Sequence, residues 1–270
     1  MNQERVGVGV RIFKINGLIK IGLIISSAAV AVSLACADIY PDGLSIGNAG
    51  KIQDCSNSSV CKNIEPTGDL KKAIDEGYEN LAVVDIYGDG NKEIAATSGG
   101  GNRCSKFFSY DRATHRFLVL KLSERDICNF KIDGDSLISS YRLDAKQYED
   151  IYKLKNGKYQ IAISDACVGC DEIYRSVYVN GRVSEKIIVT NQRNYARRVP
   201  ITTGVVSNKA MLYESHSDSA ATKMYLLKGD KVQLVEFSSE DGLWYLVKYP
   251  SQRRGIIRRW VKCEDLAICK

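Results

Sequence analysis

The sequence predicts a mainly β protein, with a hairpin-rich antiparallel β domain followed by a second, smaller β unit. Between about 81 and 190, short runs rich in Ile, Val, Tyr and Phe alternate with Asn-Gly or Asp-Gly pairs, which suit tight hairpin turns. The chain has 270 residues, of which 44% are hydrophobic and 26% charged, so it can form one or two packed domains. This composition excludes a disordered or fibrous chain.

The first 37 residues have the features of an export signal. Four basic residues precede an apolar run from 21 to 34, which is too short to span about 30 Å of hydrocarbon comfortably. Ala35-Cys36-Ala37 then provides small residues where a signal peptidase cuts. Cleavage after Ala37 and lipid attachment to Cys36, in a degenerate lipobox, are both open, and an uncleaved N-terminal anchor is a third alternative. Cleavage and lipidation both predict a periplasmic or outer-membrane-attached protein.

The cysteines support export independently. Without Cys36 the chain contains an even set of eight cysteines, as an oxidising compartment favours. Local spacing favours the pairs Cys55–Cys61, Cys104–Cys128, Cys167–Cys170 and Cys263–Cys269. The pair Cys167-Val-Gly-Cys170 is also compatible with a redox site, but no thioredoxin-like βαβ pattern surrounds it. A single CxxC pair does not predict a zinc site.

The charge distribution excludes nucleic acid as the expected partner. The net charge is +6, and three of these six charges lie in the first 37 residues. Arginines are frequent in the segment 191–205, which also contains Pro200 and is the predicted linker, and again near the C-terminal end at Arg253, Arg254 and Arg258. A solvated surface and a patch that attracts an anionic partner are both open for these arginines.

We expect no enzyme activity and no catalytic residues. The chain contains no HExxH, P-loop or GxGxxG pattern. Its two histidines, His115 and His216, lie in different predicted domains, and both are expected at the surface.

Local residue chemistry predicts four hairpin turns and one short helix. Turns are expected at Asp89-Gly90, Asp133-Gly134, Asn156-Gly157 and Asn180-Gly181. A short helix is expected over Asp69–Glu76, with Asp69 at its cap position and Leu70, Ala73 and Ile74 on one face.

The acidic loop 85–93 is the strongest candidate for a ligand-binding site in the sequence. In the segment 85–93, oxygen-bearing residues recur two apart and Gly90 permits a sharp turn, as in loops that wrap around a cation. The expected Ca²⁺ ligands are the side chains of Asp85, Asp89 and Glu93 and a main-chain carbonyl near Asn91. Calcium loops usually carry Asp or Asn where this chain has Tyr87, so weak affinity is expected. A plain hairpin with surface carboxylates is the alternative.

Residues 78–190 resemble a known family. The acidic loop lies between the apolar segments 81–84 and 94–96, like a repeat of calcium-binding β-propellers. With the strand pair 107–110 and 116–119 and the hairpin 150–159, this region resembles periplasmic β-propeller immunity proteins. These protect a bacterium from peptidoglycan hydrolases delivered by type IV secretion and are related in shape to periplasmic lysozyme inhibitors. The resemblance implies a propeller-like domain over 38–190 and a loop that enters a lysozyme-like active site.

Residues 206–266 resemble the bacterial SH3-like domain. Strand-like segments at 210–213, 223–235, 241–249 and 260–262 occur in the right order, with a Lys-Gly-Asp turn at 228–230, a Gly-x-Trp opening at Trp244 and a closing Trp260-Val261. One departure is Arg259, since a glycine commonly precedes the closing tryptophan. The resemblance implies a small SH3-like barrel over 206–270, which binds peptide or glycan through an aromatic-lined groove.

Strand alternation places Trp244 and Tyr245 on opposite faces, so only one of them is expected inside a small barrel. The resemblance makes Trp244 the core residue. Tyr245, together with Arg253, Arg254 and Arg258, is therefore the candidate partner-binding surface.

Two functions follow as hypotheses. The first is an exported, non-enzymatic immunity protein or inhibitor of a peptidoglycan hydrolase. The alternative is a wall-binding protein whose SH3-like module recognises peptidoglycan or a wall-associated partner. Membrane contact is expected only through a lipid anchor on Cys36.

Overall fold

Hairpins connect most consecutive strands of this chain. The computed structural model describes residues 43–56 and 60–270, and the predicted export signal with Cys36 lies outside them. The described strands are β1 Leu44–Ile46, β2 Ile52–Asp54, β3 Lys62–Ile64, β4 Asn80–Val84, β5 Glu93–Thr97, β6 Cys104–Asp111, β7 Arg116–Leu120, β8 Ile127–Cys128, β9 Lys131–Asp133, β10 Ser136–Leu143, β11 Lys146–Lys155, β12 Lys158–Ala166, β13 Glu172–Val179, β14 Arg182–Thr190, β15 Thr202–Gly204, β16 Lys209–Tyr213, β17 Ala221–Leu227, β18 Lys231–Ser238, β19 Trp244–Ser251 and β20 Gly255–Lys262. The helix α1 spans Gly68–Asp75, and short 3₁₀ helices span Asn48–Gly50, Tyr195–Arg197, Asp218–Ala220, Cys263–Asp265 and Ala267–Cys269. The mainly β prediction is confirmed.

The strands form four antiparallel sheets. The first sheet has the order β1-β2-β3, and the second has β4-β5-β6-β7 with β8 paired to β6. The third sheet is a meander from β9 to β14 in which each strand pairs with its neighbours in sequence. The C-terminal sheet has the order β15-β18-β19-β20-β16-β17. Its described strands form an open sheet and do not close into the small barrel that we expected.

Local turn chemistry fixes the hairpins of the third sheet. Asn156 and Gly157 have φ of 52° and 72°, and Asn180 and Gly181 have φ of 51° and 74°. Positive φ at both central residues is the signature of two-residue type I′ turns, whose twist matches that of the strands. The predicted turns at these two Asn-Gly pairs are therefore confirmed.

The helix α1 begins one residue earlier than predicted, and Asp69 is not its cap. Thr67 occupies the N-cap position, and its hydroxyl donates to the carbonyl of His115 at 2.9 Å instead of to the helix. The Asp69 carboxylate accepts the N–H of Val119 at 3.1 Å. Leu70 and Ala73 are buried, as their spacing on one helix face predicts.

The four disulfides are those that local spacing favours. Three of them join cysteines only 3 or 6 residues apart, whereas Cys104–Cys128 joins residues 24 apart that face each other on the paired strands β6 and β8. The bonds are Cys55–Cys61, Cys104–Cys128, Cys167–Cys170 and Cys263–Cys269.

The predicted linker 191–205 is built into the fold. Its residues Thr202–Gly204 form β15, and Arg198 is only 3% exposed. Arg198 Nη1 lies 2.6 Å from Asp165 Oδ2, and Asp165 also accepts two hydrogen bonds of 2.7 Å from Arg175. Buried charges require such partners, because an unpaired one is very costly. The predicted linker is therefore anchored to the third sheet through Arg198, while most of residues 191–200 are exposed.

The apolar core crosses from the third sheet to the C-terminal sheet. Ile188 of β14 belongs to the same buried cluster as Leu234 and Val247, and Tyr174 packs against this cluster. All described residues belong to one compact unit. Within them, we find no helix that is long and apolar enough to cross a bilayer.

Candidate functional site

The hairpin that joins β19 and β20 carries the predicted basic residues, and we call residues 251–258 the basic hairpin. Arg253, Arg254 and Arg258 are exposed there, and Ile256 is 62% exposed. Gly255, at φ 68°, takes the left-handed conformation that closes the turn. The structure thus brings the three predicted arginines together on one hairpin.

The charges of the basic hairpin are available to a partner. Among the described residues, no carboxylate forms an ion pair with Arg253, Arg254 or Arg258, whereas nearby Lys248 pairs with Glu185 at 2.6 Å. Arg254 Nη1 lies 3.3 Å from the Sδ atom of Met224, which orients one of these side chains. Unpaired exposed guanidinium groups attract anionic partners and speed their association.

Tyr245 is not part of this surface, which corrects the prediction. Its side chain is 6% exposed, and its hydroxyl donates to Glu172 Oε1 at 2.6 Å. Alternation does place Tyr245 and Trp244 on opposite faces, but the third sheet covers the face of Tyr245. The alternation of side chains along one strand says which face a residue occupies, but not whether another sheet covers that face.

Trp244 is a core residue, as predicted. It is 1% exposed, packs edge-to-face on Tyr213 at 4.9 Å, and donates from Nε1 to the carbonyl of Asp241 at 3.1 Å. Gly242 has φ 118°, and a Cβ there would lie 3.1 Å from Trp244 Nε1. The Gly-x-Trp pattern thus has a steric and a conformational cause.

Sequence reasoning missed a cleft of about 350 Å³ beside Trp244. Asp218, Asp241 and Glu264 line it, together with Lys262, whose amine lies 2.6 Å from Asp218 Oδ1. The hydrogen bond that Lys262 donates to Asp218 raises the pKa of Lys262 above its usual value. These residues come from separate segments of the chain, so no local sequence pattern predicts the cleft.

A second aromatic contact lies on the C-terminal sheet, which contains Trp260 in β20. His216 packs edge-to-face on Trp260 at 5.1 Å, and its Nε2 is 3.1 Å from Glu240 Oε2. His115 is exposed in the β6–β7 turn at φ 53°, where its Nδ1 lies 3.1 Å from the Tyr110 hydroxyl. Each histidine thus has a local partner.

In the acidic loop, the carboxylate of Asp85 is occupied by the loop itself. Its Oδ1 accepts the N–H of Asp89 and its Oδ2 that of Gly90, both at 3.1 Å, and the Lys92 amine lies 3.4 Å from Oδ2. Burial opposes ionisation, but the Gly90 N–H and Lys92 together hold the pKa of Asp85 below its usual value. The amine of Lys92, which belongs to the same loop, therefore supplies the positive charge beside the Asp85 carboxylate.

The other predicted calcium ligands also bond within the loop. Asp89 accepts from the backbone N–H of Asn91 at 2.9 Å and from its side-chain amide at 3.1 Å. Glu93 is 5% exposed, and its Oε2 accepts the N–H of Ile86 at 3.0 Å. Within residues 43–56 and 60–270, no group of three or more His, Cys, Asp or Glu side chains is placed to hold a metal ion. In this structure the oxygens of the expected ligands are therefore bonded within the loop, and Ca²⁺ binding there stays a prediction.

One hydrolase-like spacing occurs near the start of the described chain. Residues 43–47 read Gly-Leu-Ser-Ile-Gly, the G-x-S-x-G pattern of a nucleophile elbow. That motif requires a sharp turn from a strand into a helix, whereas Ser45 lies inside β1 and its Oγ is 3.4 Å from Cys55 Sγ. The match therefore lacks the context that gives the motif its chemistry.

Comparison with known proteins gives no relative. No protein-family model matches the chain, no curated protein matches it, and no solved structure matches it.

Proposed function

We propose that this chain is an exported, non-enzymatic inhibitor or immunity protein of a peptidoglycan hydrolase, and that the basic hairpin enters the hydrolase active site. The supporting observation is the exposed pair Arg253 and Arg254 at the tip of a hairpin whose strands pair over eight residue pairs. A tip held by such a long ladder loses little conformational entropy on binding.

The chemistry of the target favours arginine. Glycosidases of the lysozyme type cleave with two carboxylates that flank the scissile bond. A guanidinium group forms short, bidentate, charge-assisted hydrogen bonds with a carboxylate, which an ammonium group cannot match in geometry. Arg253 and Arg254 would therefore occupy the catalytic carboxylates and exclude substrate.

Three further features support the proposal. The predicted export signal and the four disulfides fit an oxidising, extracytoplasmic location. We also base the proposal on two resemblances. Residues 78–190 resemble propeller-like immunity proteins, and residues 206–266 resemble the SH3-like domain. The periplasm is the compartment in which such an inhibitor meets its target.

An inhibition assay tests the proposal. We expect purified protein to inhibit at least one lysozyme-like hydrolase, and Arg253→Ser with Arg254→Ser to weaken inhibition about 30-fold, the loss of about 2 kcal/mol typical of a binding hot spot. The control is Arg193→Ser with Arg197→Ser, which removes two other exposed arginines.

Two results would contradict this function. One is equal inhibition by the hairpin variant and the control variant, which would remove the basic hairpin from the interface. The other is turnover of purified wall by the wild-type protein, which would make the chain an enzyme.

A wall-binding protein is the second candidate, supported by the cleft beside Trp244. Carboxylates and one amine line this cleft and offer hydrogen bonds to sugar hydroxyls or to peptide amines. Co-sedimentation with wall sacculi measures this activity. If Asp241→Asn with Glu264→Gln abolishes sedimentation while inhibition persists, the cleft binds wall and the hairpin binds the hydrolase.

A further inference from the structure

A larger cavity, of about 580 Å³, lies at the edge of the third sheet. It is formed by the β7–β8 loop, the β11–β12 hairpin and the β13–β14 turn, and none of its lining residues belongs to the basic hairpin or to the cleft beside Trp244. The side chains that carry the argument are Arg125, Tyr152, Lys155, Asn156, Gln160 and Asn180.

Tyr152 is the first sign of a ligand at this cavity. Its side chain is 3% exposed, and its buried hydroxyl lies near Ser123 and Asp150 but forms no hydrogen bond of acceptable distance and angle with the described residues. Native proteins rarely leave a buried hydroxyl without a partner. Burial raises the pKa of Tyr152, so the phenol carries its proton at neutral pH and offers a donor to a ligand.

Arg125 is held in place by a buried carboxylate. Its Nη1 lies 2.9 Å from Oδ2 of Asp150, which is fully buried. The hydroxyls of Tyr141 and Ser164 donate to the same carboxylate at 3.2 Å and 2.5 Å. The Arg125 side chain is still 51% exposed and lines the cavity, so part of it is accessible to a ligand. This is a preorganised cation and not a mobile surface arginine.

The remaining lining adds a second cation and several amides. Lys155 and the side-chain amides of Asn156, Gln160 and Asn180 surround the opening, and the buried ring of Tyr159 contributes an apolar wall. The single lining carboxylate, Glu124, lies 2.9 Å from the amine of Lys121. Amide groups recognise hydroxyl and acetamido groups, and the cations select an acid.

We infer that this cavity binds a saccharide that carries a carboxylate. Arg125 and Lys155 hold the carboxylate, the three amides bond the hydroxyl or acetamido groups, and Tyr152 donates its otherwise unpartnered hydroxyl. This binding site does not involve the basic hairpin. Its test can therefore fail or succeed independently of the test of hydrolase inhibition.

Calorimetric titration of the full chain with two matched sugar pairs tests it. The pairs are N-acetylmuramic acid with N-acetylglucosamine, and glucuronic acid with glucose, each an acid and its neutral counterpart. We expect an acid to bind at least about tenfold more tightly than its neutral counterpart, because a charge-assisted hydrogen bond is lost with the carboxylate. The pair that shows the difference identifies whether the acid lies on a lactyl ether or on the ring.

Two variants and one control locate the binding. Tyr152→Phe is expected to leave the melting temperature unchanged or higher, because the hydroxyl has no partner in the free protein, and to weaken acid-sugar binding severalfold. Lys155→Gln is expected to reduce the preference for the acid. The control Lys158→Gln changes the residue paired with Lys155 across the hairpin, which does not line the cavity.

Three outcomes would overturn the inference. They are no binding of either acid, equal binding of acid and neutral sugars, or unchanged binding by both Tyr152→Phe and Lys155→Gln.

Discussion

Tyr245 shows how a single hydroxyl connects two sheets. Its phenol donates to Glu172 of the third sheet, and its ring packs on Phe237 at 5.0 Å. We expect Tyr245→Phe to lower the free energy of unfolding by about 1.5–3 kcal/mol, the usual contribution of a hydrogen bond to a charged group. Urea denaturation measures this. The control Tyr225→Phe, at a side chain that is 48% exposed, should have little effect, and equal effects of both changes would contradict the role of Glu172.

The same contact has a pH dependence. Burial, and then the hydrogen bond to Glu172, raise the pKa of Tyr245 well above its usual value, so the folded state favours the neutral phenol. Its contribution is therefore fully present below about pH 10, the value in an unfolded chain, and is lost as the pH rises through the folded pKa. The stability difference between wild type and Tyr245→Phe should narrow only in alkaline solution.

Asp85 is expected to stabilise its loop without calcium. Because it accepts two backbone N–H groups as a capping carboxylate does, Asp85→Asn should lower stability by about 1 kcal/mol. The pKa of Asp85 is lowered in the fold, so this difference should be present above about pH 4 and disappear as the pH falls further.

Thermal melts in EDTA and in CaCl₂ complete the test of this loop. We expect the same melting temperature in both, since Lys92 already supplies the neighbouring positive charge. A higher melting temperature in CaCl₂ that Asp85→Asn abolishes would restore the calcium site that the spacing predicts.

At the scale of single elements, the disulfides should contribute unequally. Cys104 and Cys128 are 24 residues apart, whereas Cys167 and Cys170 are 3 apart. In the chain-entropy model these bonds contribute about 3.5 and about 1.9 kcal/mol. Replacing each pair by serines and measuring urea unfolding should rank them in this order, and the reverse order would show that the short bond supports more than its own turn.

Elements set by neighbouring residues could be predicted from the sequence. The Asn-Gly turns at 156–157 and 180–181 and three of the disulfides depend on contacts within short stretches of chain, whereas Cys104–Cys128 joins strands 24 residues apart. The burial of Tyr245 and the closing of the cavity around Tyr152 depend on elements distant in sequence. The acidic loop is an intermediate case: its spacing predicts a curled loop, but spacing alone does not say whether the positive charge beside Asp85 is Lys92 or a metal ion.

At the scale of the whole molecule, we expect the two β regions to unfold together. Ile188 lies in the third sheet but is buried in the core of the C-terminal sheet. Ile188→Ala should cost about 2–5 kcal/mol. Both tryptophans, Trp244 and Trp260, lie in the C-terminal sheet, so their fluorescence follows that sheet alone while circular dichroism follows the whole chain.

The two signals should therefore change at the same urea concentration in the wild type and in Ile188→Ala. Separate transitions would show that the sheets are independent domains. Ile256→Ala, at a side chain that is 62% exposed, is a matched control and should leave the midpoint nearly unchanged.

The buried contacts of Arg198 also determine how the chain responds to a protease. Arg193 and Arg197 are exposed and are open to trypsin, whereas Arg198 is held by Asp165 and Glu149 at 2.6 and 2.7 Å. A cut after Arg197 leaves Arg198 at a new amino terminus, still bonded to the third sheet. The nicked protein should then migrate as one species on a sizing column and separate into two fragments only in denaturant.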